Sequence, residues 1–364
     1  MATPIFLIQF GLGTVGQALT EQVLATRESQ ARYGIDLRYV ALADSDGALV
    51  SERALEDGVI QSASRFKQRG GRLAEHDLGY YQDNLKALVD TMGQPRTIVI
   101  DTTAAAPDTV FPAFELALSR GYALALANKK PLADAQARWD HLTAGGRIGY
   151  EATVGAGLPV ISTLRYLLDT NDEVTKIEGA FSGTLGFLMG ELECGTSFSA
   201  SVREAKARGW TEPDPRDDLS GLDVARKALI LARTLGATLE LADVALTPLY
   251  PADFAALSLD EFMARLEELD PLLADQQRAV QERGAFLRYG ASVKVGQETS
   301  SLVVGPLTVD SENPLAALRG PDNLISFHSA RYSARPLVIR GPGAGAAVTA
   351  SGLLGDILRL SQHL

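Results

Sequence analysis

The chain of 364 residues contains one cysteine. A lone thiol, Cys194, forms no intrachain disulfide and no multi-thiolate metal site, which accords with a reducing cytoplasm. Its neighbours Glu193, Gly195 and Thr196 bring no positive charge to activate it as a nucleophile. Histidine is also sparse. The four histidines, His76, His141, His328 and His363, form no His-x-x-x-His pair and have no cysteine neighbour, so no zinc pattern is expected. Basic charge is short as well, with 34 Lys and Arg against 45 Asp and Glu for a net −11. That balance repels phosphate backbones and anionic membranes, and no basic cluster overrides it. No apolar run approaches the roughly 20 residues of a membrane span, and the N-terminal stretch has no basic region ahead of a signal core. Neither a Gly-x-Ser-x-Gly nor a P-loop pattern occurs. The expectation is a soluble, cytoplasmic protein that binds neither nucleic acid nor membrane.

What is present describes a globular chain. Apolar residues make up 46% and charged residues 22%, close to ordinary usage. At about 100–200 residues per domain, the length predicts two domains. Residues 4–10 are apolar except for Gln9, as in a strand buried on both faces of a parallel sheet. They run directly into Gly11-Leu12-Gly13-Thr14-Val15-Gly16, after which apolar positions take helical spacing. Further apolar strands are legible at 37–43, 97–101, 122–127 and 147–150, with helical patterns at about 108–119 and 134–144. Strands alternating with helices predict a doubly wound parallel sheet over residues 1–150. From Glu151 the composition shifts to small residues. Strands are then expected near 175–180, 286–295 and 301–308, and helices near 184–193, 199–208 and 220–235, which describes a second, α+β unit over 151–335. A terminal segment, 336–364, carries Gly341-Pro342-Gly343-Ala344-Gly345 and a helix, expected to return to the first domain.

Chemistry concentrates in a few stretches. In the glycine motif, Gly11 permits a tight turn, Gly13 lets a pyrophosphate approach the backbone, and Gly16 allows close helix–strand packing, with helix N-terminal amides as anion donors. Asp44, ending a strand, has two readings: acceptor for an adenosine ribose, which favours NAD, or a turn-forming residue before Ser45-Asp46-Gly47. Lys129, in Asn128-Lys129-Lys130-Pro131, follows a strand of the nucleotide domain, at the end where open α/β sheets bind ligands. The richest stretch runs from Gly209 to Lys227. Two prolines and four carboxylates there form a rigid acidic loop able to hold an ammonium group, or else a capped helix entry with Asp217, Asp218 or Ser220 as cap. In the helix that follows, two apolar rows predict burial, and Asp223 and Lys227 share a face at i and i+4. Such a pair is ordinarily a weak surface feature. On a buried helix it projects into a cavity or interface, where a lysine exchanges its proton more readily.

Together these stretches resemble homoserine dehydrogenase. The resemblance rests on the N-terminal glycine motif, Ala127-Asn128-Lys129-Lys130-Pro131-Leu132, Glu151-Ala152-Thr153-Val154-Gly155-Ala156-Gly157-Leu158-Pro159, Phe181-Ser182-Gly183-Thr184-Leu185, and the run from Glu212 to Lys227. Gly343-Ala344-Gly345-Ala346-Ala347-Val348-Thr349-Ala350 extends it over nearly the whole chain. The length resembles the monofunctional form, without an aspartate kinase or regulatory domain. The resemblance implies an NAD(P)-dependent oxidoreductase that interconverts L-aspartate 4-semialdehyde and L-homoserine, in threonine, methionine and isoleucine biosynthesis. By position it makes Lys227 the acid/base and Lys129 a group that holds or polarises substrate. Glu212 and Asp223 would receive the substrate ammonium and hydroxyl. Gly11, Gly13, Thr14, Val15, Gly16, Asp44, Thr103, Lys129, Gly209 and Gly345 would line the cofactor, NAD or NADP. It further implies a sodium ion on backbone carbonyls of Glu151, Val154, Ala156 and Leu158, and a homodimer built through the second domain's sheet. Two rivals remain open: a phosphate-dependent semialdehyde dehydrogenase, which needs a cysteine nucleophile with a histidine base, and a non-catalytic NAD(P)-sensing module.

Overall fold

A strand apolar on both faces needs both faces of its sheet covered, and β1 (Thr3–Phe10), interrupted only by Gln9 between Ile8 and Phe10, meets that condition, with Ile5, Leu7, Ile8 and Phe10 fully out of solvent. In the computed structural model, which describes residues 2–296 and 300–364, β1 occupies the centre of a seven-stranded sheet. Its companions are β2 (Ile35–Ala43), β3 (Gly47–Val50), β4 (Tyr80–Tyr81), β5 (Thr97–Asp101), β6 (Ala123–Leu126) and β7 (Ile148–Gly149), in the order β4-β3-β2-β1-β5-β6-β7. The five strands from β2 to β7 are parallel. The chain moves outward from β1 to β2 in one direction and from β5 to β7 in the other. Right-handed crossovers therefore place helices on both faces, the doubly wound arrangement.

The parallel sheet carries one reversed strand, because β3 runs antiparallel to both of its neighbours, β2 and β4. Asp44, Ser45 and Asp46 alone join β2 to β3, and a parallel return takes a crossover of a dozen or more residues. The register sets which connecting segments start side by side. Phe10 pairs across to Ala43 and to Asp101, and Asp101 pairs across to Leu126. Gly11, Asp44, Thr102 and Ala127, the residues that follow, thus leave the sheet from one edge in one row.

The chain divides into two compact units, one running to Pro159 and completed by Ala344–Leu364, the other Val160–Gly343. These divisions fall later in the chain than the expected 150 and 335. Packing supplies the reason. A Cβ on Gly157 would lie 2.1 Å from the Val348 carbonyl oxygen, and one on Gly352 would lie 2.9 Å from that of Ala156. The small-residue loop after β7 is therefore pressed onto the C-terminal helix Ala346–Ser361. That helix buries Leu353, Ile357 and Leu360 in one core with Leu19 and Val23 of the helix Thr14–Ala25.

The second unit is built on a six-stranded sheet of β8 (Val174–Ala180), β9 (Ala245–Leu246), β10 (Phe286–Val295), β11 (Ser300–Val309), β12 (Asp322–Ser329) and β13 (Leu337–Pro342), ordered β13-β12-β8-β10-β11-β9. All pairings are antiparallel except β11 with β9. The helices Gly183–Glu193, Leu222–Thr234 and Asp270–Gln281 pack on β10. No helix among the described residues is long and apolar enough to cross a membrane.

Candidate active site

In the first unit the three glycines play three different mechanical parts. Gly11 adopts φ +90°, and a Cβ there would meet the Thr102 hydroxyl oxygen at 2.8 Å. A Cβ on Gly16 would come 2.3 Å from the Gly11 carbonyl oxygen. Around Gly13 a Cβ would meet nothing within 4 Å, so the space above that backbone is open. Buried Gln9 braces the turn from below, donating to the carbonyls of Gly11 at 2.9 Å and Gly16 at 3.1 Å and accepting from the Tyr39 hydroxyl at 3.0 Å. Thr102 Oγ donates to the Gly11 carbonyl at 2.8 Å. Gly13 caps the helix Thr14–Ala25 without any side-chain hydrogen bond. The first-turn amides, with Thr14 exposed and Val15 half-buried, thus face an open cradle suited to a pyrophosphate.

Asp44 performs the turn-forming part. Its carboxylate accepts from the amides of Gly47 at 3.0 Å, Asp46 at 3.3 Å and Leu73 at 2.9 Å, and pairs with Lys67 Nζ at 2.6 Å. Burial opposes its ionisation, but Lys67 and the Leu73 and Asp46 amides together hold the carboxyl below its ordinary value. Thr103 and Lys129 leave the ends of the neighbouring strands β5 and β6, and Lys129 is half-buried. Gly345, at φ +125°, caps the C-terminal helix. In the loop 151–158, Gly155 and the non-glycine Ala156 take left-handed φ values of +80° and +57°. The Glu151 amide is anchored to Asp356 at 2.8 Å.

In the second unit the acidic loop and the helix behind it assemble a polar cluster. Two helices stand where one was expected: Asp214 caps Pro215–Leu219 by accepting from the Arg216 amide at 3.0 Å, and Gly221, not Asp217, Asp218 or Ser220, caps Leu222–Thr234. The Arg216 guanidinium closes on the same carboxylate and holds it below its usual range. Asp218 is thereby left for another task. Its Oδ2 accepts from the Glu212 amide at 2.7 Å, and burial, reinforced by the charges of Glu212 and Asp223, pushes its carboxyl up to about 6. Gly221, at φ +72°, starts the helix Leu222–Thr234. A Cβ there would come 2.0 Å from the Tyr289 hydroxyl oxygen, so only glycine fits.

Along that helix Val224, Ala225 and 228–233 are buried. Lys227 and Asp223 pair at 3.0 Å, with the lysine side chain only 11% exposed. Lys227 Nζ also donates to the Phe181 carbonyl at 2.6 Å, at the end of β8. Gly209, at φ +69°, is exposed ahead of the acidic loop. Thr184 Oγ fastens that loop by donating to the Trp210 carbonyl at 2.6 Å. The cluster thus joins Glu212, Asp218, Asp223 and Lys227. The sequence offered Asp218 both as one of four loop carboxylates for an ammonium and as a cap, because spacing alone does not say which of several adjacent carboxylates takes which part.

Comparison with known proteins gives one consistent result. The family model for homoserine dehydrogenase matches residues 159–358, and the model for the homoserine dehydrogenase NAD-binding domain matches 11–146. A homoserine dehydrogenase of Saccharomyces cerevisiae is 37% identical, with 97% of each chain covered. A chloroplastic bifunctional aspartokinase/homoserine dehydrogenase of Zea mays is 38% identical over 97% of this chain, and the chain spans only 38% of that relative's length. Among solved structures, a hyperthermophilic archaeal homoserine dehydrogenase in complex with NADPH aligns with a TM-score of 0.76 at 23% identity, covering 100% and 99% of the two chains, a likeness of fold.

Proposed function

The chain belongs to the homoserine dehydrogenase family, and from that premise we propose that it interconverts L-homoserine and L-aspartate 4-semialdehyde with NAD or NADP. The observation that carries the proposal is the tethering of Lys227. An ammonium has three donors, and two of them are committed to Asp223 and the Phe181 carbonyl. The third position is left for a substrate oxygen. When Lys227 is neutral, the same two hydrogen bonds persist and the lone pair takes the third place. One geometry therefore serves a base that removes the hydroxyl proton and an acid that returns it.

When bound, the nicotinamide supplies the hydride acceptor or donor. The open space over Gly13 and the uncapped amides that follow it suit its pyrophosphate. Gly11, Gly16, Thr103, Gly209 and Gly345 belong to the same cofactor reading, while the Asp44 carboxylate already has four donors. Carbonyl reduction builds alkoxide charge, which a cation beside the oxygen stabilises more in the transition state than in the ground state. Lys129 is assigned a substrate-holding role by resemblance and by its place at a carboxyl strand end. Glu212, Asp218 and Asp223 form the anionic cluster for the substrate ammonium. NAD(P)H absorbance with homoserine tests the reading. Turnover with either nucleotide, insensitive to thiol alkylation, is expected, and no turnover with both nucleotides overturns it.

Two further parts rest on the resemblance. Carbonyls of Glu151, Val154, Ala156 and Leu158 would hold a sodium ion, an all-oxygen donor set of the kind hard cations prefer. The left-handed Ala156 is the strained non-glycine backbone expected where a loop is bent around a ligand. Replacing sodium by tetramethylammonium is expected to lower the melting temperature, and an unchanged value refutes the site. The six-stranded sheet is proposed as the homodimer interface.

A further inference from the structure

Asp101 ends β5 with its side chain wholly buried, and the donors that face it are neutral. The Thr103 amide reaches Oδ1 at 2.8 Å and Asn128 Nδ2 reaches Oδ2 at 3.1 Å. Burying a carboxylate among neutral groups opposes folding, and the desolvation pushes this carboxyl up to about 6. An apolar side chain would avoid that penalty, so the carboxylate calls for a reason beyond stability.

Its partner supplies one. Asn128 is itself buried, and its Nδ2 also donates to the Ala105 carbonyl at 3.1 Å, while its Oδ1 accepts from the Lys130 amide at 3.1 Å. Lys130 Nζ reaches back to the Ala104 carbonyl at 2.7 Å, and the Ala127 amide donates to the Asp101 carbonyl at 2.8 Å. Two loops that leave adjacent strands, 102–106 after β5 and 127–131 after β6, are therefore cross-linked on both sides of Lys129. The first of these loops is fastened in turn to the glycine turn, through Thr102 Oγ on the Gly11 carbonyl.

We propose that the Asp101–Asn128 hydrogen bond is a positioning device for the reaction, holding Lys129 in register with the nucleotide-binding turn. Neither residue touches substrate in this scheme; both act through Lys129. That Lys129 meets substrate rests on the function proposed above. That its place is set by Asp101 and Asn128 rests on the hydrogen bonds alone.

Three variants test it: Asn128→Ser, which removes the bridge, Asp101→Asn, which sets two amide donors against each other, and the double exchange Asp101→Asn with Asn128→Asp. The last restores one carboxylate facing one carboxamide. For either single variant, kcat with homoserine is expected to fall about ten- to a hundredfold, the scale of a small misplacement of a reacting group, while the Kd for NADH read by fluorescence changes far less than the activity does. The exchange is expected to recover part of that loss. Full kcat in Asn128→Ser, an NADH affinity lost in proportion to activity, or an exchange no better than the worse single variant would overturn the proposal. If Asp101→Asn does not fold, Asn128→Ser decides alone. Amine labelling of Lys129, followed by peptide mass spectrometry, separates the two layers. If the wild-type protein does not turn over homoserine, the functional reading fails, yet the labelling rate at Lys129 is still expected to rise in Asn128→Ser while other lysines are unaffected. An unchanged rate refutes the positioning role.

Discussion

At the scale of single residues, the chemistry depends on how many bonds each side chain has already made. Lys227 has two of three positions filled, so removing it deletes the proton carrier without touching the glycine turn. For Lys227→Ala we expect kcat to fall about a thousandfold, within the usual contribution of a positioned acid/base, with NADH affinity intact; a fully active variant sinks the assignment. Asp218 carries a pH signature. Its carboxyl is raised from 3.8 to about 6, so folding favours the neutral form. The stability it contributes is complete below 3.8 and is lost as pH rises through about 6. Ionisation in the same window creates the negative charge that an ammonium needs. Relative to Asp218→Asn, wild-type protein is expected to lose resistance to urea between about pH 4 and 6, while kcat/KM for homoserine climbs there. At pH 8 the variant's kcat/KM is expected to be about ten- to a hundredfold lower, the worth of a charged hydrogen bond. A flat wild-type profile through pH 6 contradicts both halves. The pairing of Asp223 with Lys227 was legible from i,i+4 spacing on an apolar helix. The separate short helix that Asp214 caps was not, since Arg216 and the loop that receives it decide it.

At the scale of elements, the glycine turn separates folding from binding. Gly16 is hemmed in by the Gly11 carbonyl and Gln9, whereas Gly13 has open space above it and an ordinary φ of −78°. Gly16→Ala is therefore expected to lower the melting temperature markedly, as overpacking against backbone does. Gly13→Ala is expected to melt like wild type yet bind NADH at least about tenfold more weakly, a loss of roughly 1.4 kcal/mol. Equal effects on stability from the two substitutions would remove the distinction. The motif itself was readable because each glycine answers a local steric demand within a few residues. By contrast β12 was not read, since Asn323, Ser326 and Ser329 interrupt its apolar pattern. These polar groups are buried because β13 and β8 flank it on either side, and no local spacing announces that.

At the scale of the whole molecule, the proposed homodimer predicts a mass near twice the 38.8 kDa of one chain by light scattering. On edge strand β13, where Val338 is 39% exposed, Val338→Glu is expected to shift the balance toward monomer; a monomeric wild type ends the dimer reading. The amino-acid sequence by itself determined the class of fold, the five parallel strands and the turn that opens the first helix. Apolar runs, helical spacing and glycine at tight turns act over a few residues, where local physics is decisive. Tertiary structure alone decided which carboxylates remain available for chemistry. It spends Asp44 on Lys67 and three amides, closes Asp214 on Arg216, and leaves Asp218 beside Glu212. It also brought Asn128 onto Asp101 across 27 positions. Such pairings depend on strand order and register, which bring distant segments into hydrogen-bonding reach only after the sheet has formed.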